Sequence, residues 1–148
     1  MLINSRDFKI VVGSVPIASI DILIKKNNKY LLGKRVNSPA KGYFFSAGGR
    51  IMKNETLNDA MVRIADSELN IELLNEPKFI GVFEHFYEDS IFEGVSTHYV
   101  NLAYEYEVDV LNILPKDQHS DYKWFKKNDL LESENVHQNV KSFFIGLN

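Results

Sequence analysis

The chain has no cysteine. Disulfides, thiolate catalysis and cysteine-ligated zinc are excluded, and a reducing compartment, the cytoplasm, is the expected location. No apolar run approaches the ~18 residues that a membrane-spanning helix needs, so no membrane partner is expected. The opening residues, MLINSRDFKIVVGSVP, lack the basic stretch followed by a long apolar stretch that marks a secretory signal. An excess of positive charge is also missing: 17 Lys and Arg stand against 20 Asp and Glu. The net charge is −3, which argues against nucleic acid as a partner. Internal repeats, low-complexity tracts and Pro/Gly-rich linkers are all missing, and 148 residues suit a single domain, 1–148. What the chain does have is apolar and aromatic content, 45% and 12%, enough for a sizeable core.

Residues Asn4 to Val12 read as a short amphipathic helix that ends before Pro16. Apolar runs at Ile20–Ile24 and Tyr30–Leu32 flank Asn27-Asn28, which is the pattern of a β-hairpin. GYFFSA (42–47) reads as a short buried strand, followed by a turn at Gly48-Gly49 and a helix from Leu57 to Leu69. KFIGVFEHFYED (78–89), THYVNLAYEYEVDV (97–110) and DYKWFKK (121–127) are aromatic and β-branched, and read as strands. NVHQNVKSFFIG (135–146) reads as a closing helix capped by Gly146. Strands and helices mix without regular βαβ alternation. The expected class is therefore α+β, a mixed sheet with helices packed on its faces.

Thr56 and Asp59 form a Thr-x-x-Asp capping box that starts the helix at Leu57. At ~100° per residue, Leu57, Met61 and Ile64 share an apolar face, and Glu68 falls into the same stripe. A bare buried carboxylate costs several kcal/mol unless it is paired or protonated. Glu68 therefore either bends out to solvent at the helix end or meets a cation. Arg63 lies off its face and is a poor partner within the helix. Just upstream, Gly48-Gly49 frees the backbone for positive φ and for close approach to a ligand. A backbone carbonyl with a carboxylate is hard oxygen ligation, suited to Mg²⁺ or Mn²⁺.

Gly49, Glu55 and Arg63 resemble the first half of the Nudix box, G-x5-E-x7-R-E-U-x-E-E-x-G-U. The second half departs from it. Ile64 and Ser67 stand where glutamates belong, Asn70 replaces the glycine, and Glu68 alone remains of the Glu-Glu pair. Such losses mark one branch of the superfamily, and the chain resembles the GDP-mannose mannosyl hydrolases. The resemblance runs over nearly the whole chain, through SIDILI, LLGKR, GYFF, GGR, ETL, GVFEHFY, THYV, DQHSDYKW and NVH in order. It departs mildly at Ala47, where proline is usual, and at Phe83-Glu84.

That resemblance implies a Nudix fold, a homodimer, and one Mg²⁺ per active site (Mn²⁺ as substitute) held by the Gly48 carbonyl, Glu68 and Gln118. It implies hydrolysis of GDP-mannose, with GDP-glucose as a second candidate, to GDP and free sugar. Water attacks the anomeric carbon with inversion, and a diphosphate is a good enough leaving group to need no general acid. His119 corresponds to the general base, and an imidazole with pKa near ~6.5 suits that task. The residues around it, PKDQHSD, read as a polar loop between strands. Arg35 and Arg50 correspond to binders of the leaving diphosphate, and Tyr99 to a hydroxyl contact on the same group. Asp21 corresponds to an active-site acid beside the sugar phosphate, and His85 to a sugar-side residue. Strand alternation turns Lys34 away from the side of Arg35, and His98 away from the side of Tyr99. Arg63 is expected to pair with box carboxylates, and Glu55 to support the metal or orient the loop. His137 receives no role. The competing readings are a conventional Nudix pyrophosphatase acting at phosphorus and a non-catalytic domain that binds a nucleotide sugar.

Overall fold

The computed structural model describes residues 2–145. Helix α1 (Ser5–Ser14) starts at Asn4, whose side chain accepts the Asp7 N–H, and it ends before Pro16 as expected. Strands β1 (Ile17–Lys26) and β2 (Lys29–Arg35) are joined by Asn27 and Asn28, with φ of 51° and 59°. Two successive left-handed residues make the tight hairpin turn that the Asn-Asn pair announced. Then follow β3 (Phe44–Phe45), β4 (Ala47–Arg50), α2 (Leu57–Leu69), β5 (Lys78–Tyr87), β6 (Thr97–Glu107), β7 (His119–Lys126), α3 (Lys127–Glu132) and α4 (Gln138–Lys141). Among the described residues no helix is long and apolar enough to cross a membrane.

One mixed sheet of seven strands runs β3-β2-β1-β6-β5, with β4 joined to β1 and β7 to β2. The β1–β6 pair is parallel and the others are antiparallel. Strand β6 follows β1 from Ile17 to Lys25. The opposite edge of β1 divides: Ser19 to Ile22 pair with β4, and Ile24 to Lys26 pair with β2. Strands β2 and β4 therefore part company in mid-sheet, and the polar candidates gather around that parting.

Because β1 is covered on both faces, SIDILI is almost continuously apolar. Ile20, Ile22 and Ile24 pack against Ala60, Met61, Ile64, Ala65 and Leu69 of α2. On the other face Leu23 joins Leu32, Phe45 and Phe125 under Leu130 of α3, Val140 of α4 and Phe143. The architecture is α+β, a mixed sheet between helices. Full burial of a side chain such as Ile64 stabilises by ~1.5–3 kcal/mol.

Several sequence expectations need correction. Gly48 and Gly49 do not form a turn. Both lie within β4, and positive φ is found at neither. A Cβ at Gly48 would overlap Asp21 Oδ1, and one at Gly49 would sit 3.2 Å from Ile64 Cγ1. The pair is small because a carboxylate packs against one glycine and a helix against the other. Leu57 is 44% exposed, so the buried face of α2 excludes it, and Glu68 lies half-buried at the margin. Asn70, the departure from the box glycine, is left-handed (φ 52°). Its N–H bonds the Asp66 carbonyl at 2.9 Å, and the Ile71 N–H bonds the Ala65 carbonyl at 3.1 Å. Asparagine is among the few residues besides glycine that adopt this conformation readily, so the cap survives the substitution. The closing helix is shorter than expected: α4 is a single turn, and the expected cap Gly146 lies outside the described residues. Helix α3 was not expected, since no side chain caps its start.

Candidate active site

A cleft opens on the sheet face away from α2. Asp21, Arg35, Gly48, Arg50, His85 and Tyr99 all line it. Six positions, scattered from β1 to β6 in sequence, therefore meet at one place. Glu68, Gln118 and His119 are not part of this lining. Two of them relate to it through Arg35, which faces His119 across the β2–β7 pair and whose charge reaches Glu68.

Asp21 forms the floor. It is 6% exposed, its Oδ2 accepts from Ser46 Oγ at 2.6 Å, and its Oδ1 accepts from Asn101 Nδ2 at 3.1 Å. Burial raises its pKa to about 6, against the pull of both hydrogen bonds and Arg35. Arg35 ends β2, and its Nε donates to the Pro39 carbonyl at 2.7 Å. Lys34 beside it is exposed, as alternation requires. Arg50 ends β4 with its guanidinium 5.2 Å from the centre of the Phe8 ring, a cation–π contact. Burial raises the pKa of Tyr99, which keeps its hydroxyl a neutral donor. His98, on the opposite face, stacks on Phe86 at 4.3 Å.

His85 is 2% exposed and its Nε2 has no protein partner. Burial, then the neighbouring His137, lowers its pKa to about 4. His119 corrects the loop expectation. It is the first residue of β7, paired with Arg35, and 2% exposed. The polar composition of PKDQHSD hid this, because β7 begins inside the motif. Gly33 makes the room: a Cβ there would lie 2.6 Å from the imidazole Cγ. Neither ring nitrogen of His119 has a protein partner. Burial, then Arg35, lowers its pKa to about 4, so the ring is neutral near pH 7.

Burial raises the pKa of Glu68; Arg35 opposes this, while the charge of Asp117 adds to it. Gln118 is exposed, its Oε1 accepts from Asn37 Nδ2 at 3.2 Å, and its main-chain carbonyl accepts the Val36 N–H at 3.1 Å. Among the described residues, no three His, Cys, Asp or Glu side chains gather to hold a metal ion. The expected ligands are not shown together: Gly48 lines the cleft, and Glu68 and Gln118 lie outside its lining. By chemistry, a backbone carbonyl, a carboxylate and an amide oxygen are hard donors of the kind Mg²⁺ takes.

Glu55 and Arg63 serve differently. Arg63 donates to both Glu55 oxygens, at 2.7 and 3.0 Å, and to the Arg50 carbonyl at 2.8 Å. Glu55 also accepts the Met52 N–H at 2.9 Å, and its pKa falls to about 2, chiefly through Arg63. Together they fix the segment that joins β4 to α2. Sequence reading missed Ser19, Ser46, Asn101, Gly33 and Asp117. Asn101 had a usable signal: on a strand of period two it shares a face with Tyr99 and Ala103, inside an otherwise apolar run.

The NUDIX domain family model matches residues 15–144. The glycan biosynthesis protein Agl8 of Haloferax volcanii is 42% identical over 125 residues, covering 84% of this chain and 80% of that protein. An ADP-ribose pyrophosphatase of Methanocaldococcus jannaschii is 41% identical over 56 residues, covering 38% of this chain and 33% of that one. Among solved structures, a MutT NUDIX hydrolase from Burkholderia pseudomallei superposes with a TM-score of 0.74 at 20% identity, over 91% of this chain and 100% of its own. The NUDIX domain of Shewanella oneidensis NrtR, complexed with ADP ribose, reaches 0.68 at 15% identity, over 96% of each chain. At those identities the structures speak for the fold alone, but the family model and the Haloferax relative cover most of the chain: it belongs to the Nudix hydrolase family.

Proposed function

We propose that the chain hydrolyses GDP-mannose, with GDP-glucose as a second substrate, to GDP and free sugar by attack of water at the anomeric carbon. The observation that carries this reading is the distribution of partners around the box. Both Glu55 oxygens are engaged by Arg63, Ile64 and Ser67 supply no acid, and Glu68 is the box carboxylate left for a cation. Meanwhile a buried neutral imidazole, His119, has both ring nitrogens without a protein partner. A site poor in carboxylates but supplied with a base suits displacement at carbon more than metal-activated attack at phosphorus.

In this reading Arg35 and Arg50 bind the diphosphate through paired guanidinium donors, and the Tyr99 hydroxyl adds a third contact. Asp21 and His85 face the sugar. His119 takes the proton from water as its oxygen bonds the anomeric carbon, the bond from that carbon to the diphosphate oxygen breaks, and GDP leaves with the electron pair. The sugar inverts. Nudix hydrolases generally use divalent metal ions. The Gly48 carbonyl, Glu68 and Gln118 would hold one Mg²⁺, or Mn²⁺, which when bound offsets the charge gathering on the leaving diphosphate. Asp117 places a second acid near Glu68 and keeps the conventional pyrophosphatase reading as the runner-up, in line with the Methanocaldococcus relative, an ADP-ribose pyrophosphatase. The Haloferax relative's role in glycan biosynthesis agrees with sugar chemistry. We also take the chain to be cytoplasmic, homodimeric, and without nucleic-acid or membrane partners. Hydrolysis of GDP-mannose in heavy-oxygen water with Mg²⁺ tests the reading: label in the sugar supports it, and label in a nucleotide phosphate selects the runner-up.

A further inference from the structure

Asn101 lies in the middle of β6, between Ser19 of β1 and Phe83 of β5, and it lines the cleft. It is 2% exposed. Its Nδ2 donates to Ser19 Oγ at 2.8 Å and to Asp21 Oδ1 at 3.1 Å. An amide nitrogen carries two hydrogens, so both are used. The opposite amide orientation would set the Asn101 carbonyl against a carboxylate oxygen, an acceptor against an acceptor. The orientation is thereby fixed, and Oδ1 has no hydrogen-bond partner from the protein. A buried acceptor held without a partner costs free energy, and folded chains keep few of them. On the neighbouring strand, His85 lines the same cleft, and its buried Nε2 also lacks a protein partner. Phosphate oxygens are acceptors and would repel Oδ1, so it needs a donor.

We infer that Asn101 is a specificity-determining residue, its Oδ1 accepting the hydrogen of one hydroxyl on the sugar of the bound nucleotide sugar. A pyranose offers adjacent hydroxyls, one for Oδ1 and one within reach of the His85 side of the cleft. Asp21 and Ser19 hold the amide in place, so the selectivity belongs to the whole floor. The inference rests on the nucleotide-sugar reading of this cleft, though not on which bond is cleaved.

Isothermal calorimetry in EDTA without Mg²⁺, where the substrate is not turned over, tests it with GDP, GDP-mannose and its monodeoxy analogues, on the natural chain and on Asn101→Leu. The expected result is that Asn101→Leu weakens GDP-mannose about 10- to 100-fold while GDP stays within about twofold. One deoxy analogue should bind the natural chain about as poorly as GDP-mannose binds the variant, and lose nothing further there. Asn101→Ser, which can still donate toward Asp21 but withdraws its acceptor from the cleft, serves if Asn101→Leu gives no cooperative melting transition. Equal weakening of GDP and GDP-mannose, or the same analogue ratios in both chains, would overturn the inference. If no nucleotide sugar binds the natural chain better than its parent diphosphate, the functional reading falls and this inference with it. Sugar discrimination that survives loss of Asn101 sinks the inference alone.

Discussion

Two polar assemblies flank β4. On the α2 side, Arg63 and Glu55 bond each other twice and take in the Arg50 carbonyl and the Met52 N–H. On the cleft side and at the head of β7, Asp21, Asn101, His85 and His119 are more deeply buried, yet Asn101 Oδ1, His85 Nε2 and both nitrogens of His119 lack protein partners. The first group is closed and stays charged, with Glu55 held at about pKa 2. The second is open, and its histidines are held neutral by burial. A partly exposed pair can satisfy itself and stabilise the fold. Buried groups left open weaken the fold, and under the proposed function they are kept for what they bind. Within one Nudix box and its surroundings, the two kinds of polar group differ in whether their hydrogen bonds are complete.

The comparison breaks most visibly at His119. We predict that His119→Gln lowers kcat on GDP-mannose by about 10²- to 10⁴-fold with no loss of melting temperature, because it removes a base the fold does not need. Near-normal turnover in steady-state assays would remove His119 from that role. The next effect is on acid stability. His85 and His119 have folded pKa values of about 4 against an unfolded value of 6.5. Between those limits the unfolded chain binds more protons, so stability falls as pH drops, by about 3 kcal/mol for each ring at about 1.4 kcal/mol per pKa unit. Asp21 acts in the opposite sense: its folded pKa of about 6 exceeds the usual 3.8, so its contribution is present at low pH and is lost as pH rises through about 6. Urea midpoints from pH 4 to pH 7 should lose pH dependence in His85→Gln and His119→Gln and gain it in Asp21→Asn. The reverse pattern would contradict the assigned burial.

A smaller effect is expected at Gly33. Gly33→Ala forces the His119 ring to move, and a displacement near 1 Å should lower kcat about 10- to 100-fold with KM little changed. Imidazole proton resonances should report an altered His119 environment even if catalysis proves to use another base; an unchanged resonance would refute the contact. The smallest effect belongs to the closed assembly. Arg63→Met should destabilise by about 1–2 kcal/mol, since the pair is partly exposed and screened. Equilibrium denaturation measures it, and a loss no greater than scatter would mean that the clamp is decorative.

Much of the fold was legible because local chemistry agreed with tertiary demand. Thr56 caps α2, Asn27-Asn28 turns the first hairpin, and SIDILI is apolar because both faces of β1 are covered. The errors arose where distant packing overrode local character. Gly48-Gly49 looked like a turn, yet the glycines answer to Asp21 and Ile64, both remote in sequence. His119 looked exposed because its neighbours are polar, but pairing with β2 buries it. Of the candidates carried over by resemblance, Asp21, Arg35, Gly48, Arg50, His85 and Tyr99 line one cleft, while Glu68, Gln118 and His119 lie outside its lining. Ser46 stayed hidden because its meaning lies in a bond to Asp21, remote in sequence, and the strand signal at Asn101 did not reveal its bond to the same carboxylate.

The central claim is that this site displaces at carbon. Mass spectrometry of the products formed from GDP-mannose in heavy-oxygen water, with Mg²⁺ present, tests it most directly. The account predicts one heavy oxygen in the free sugar and none in GDP; a heavy oxygen in a nucleotide phosphate would contradict it.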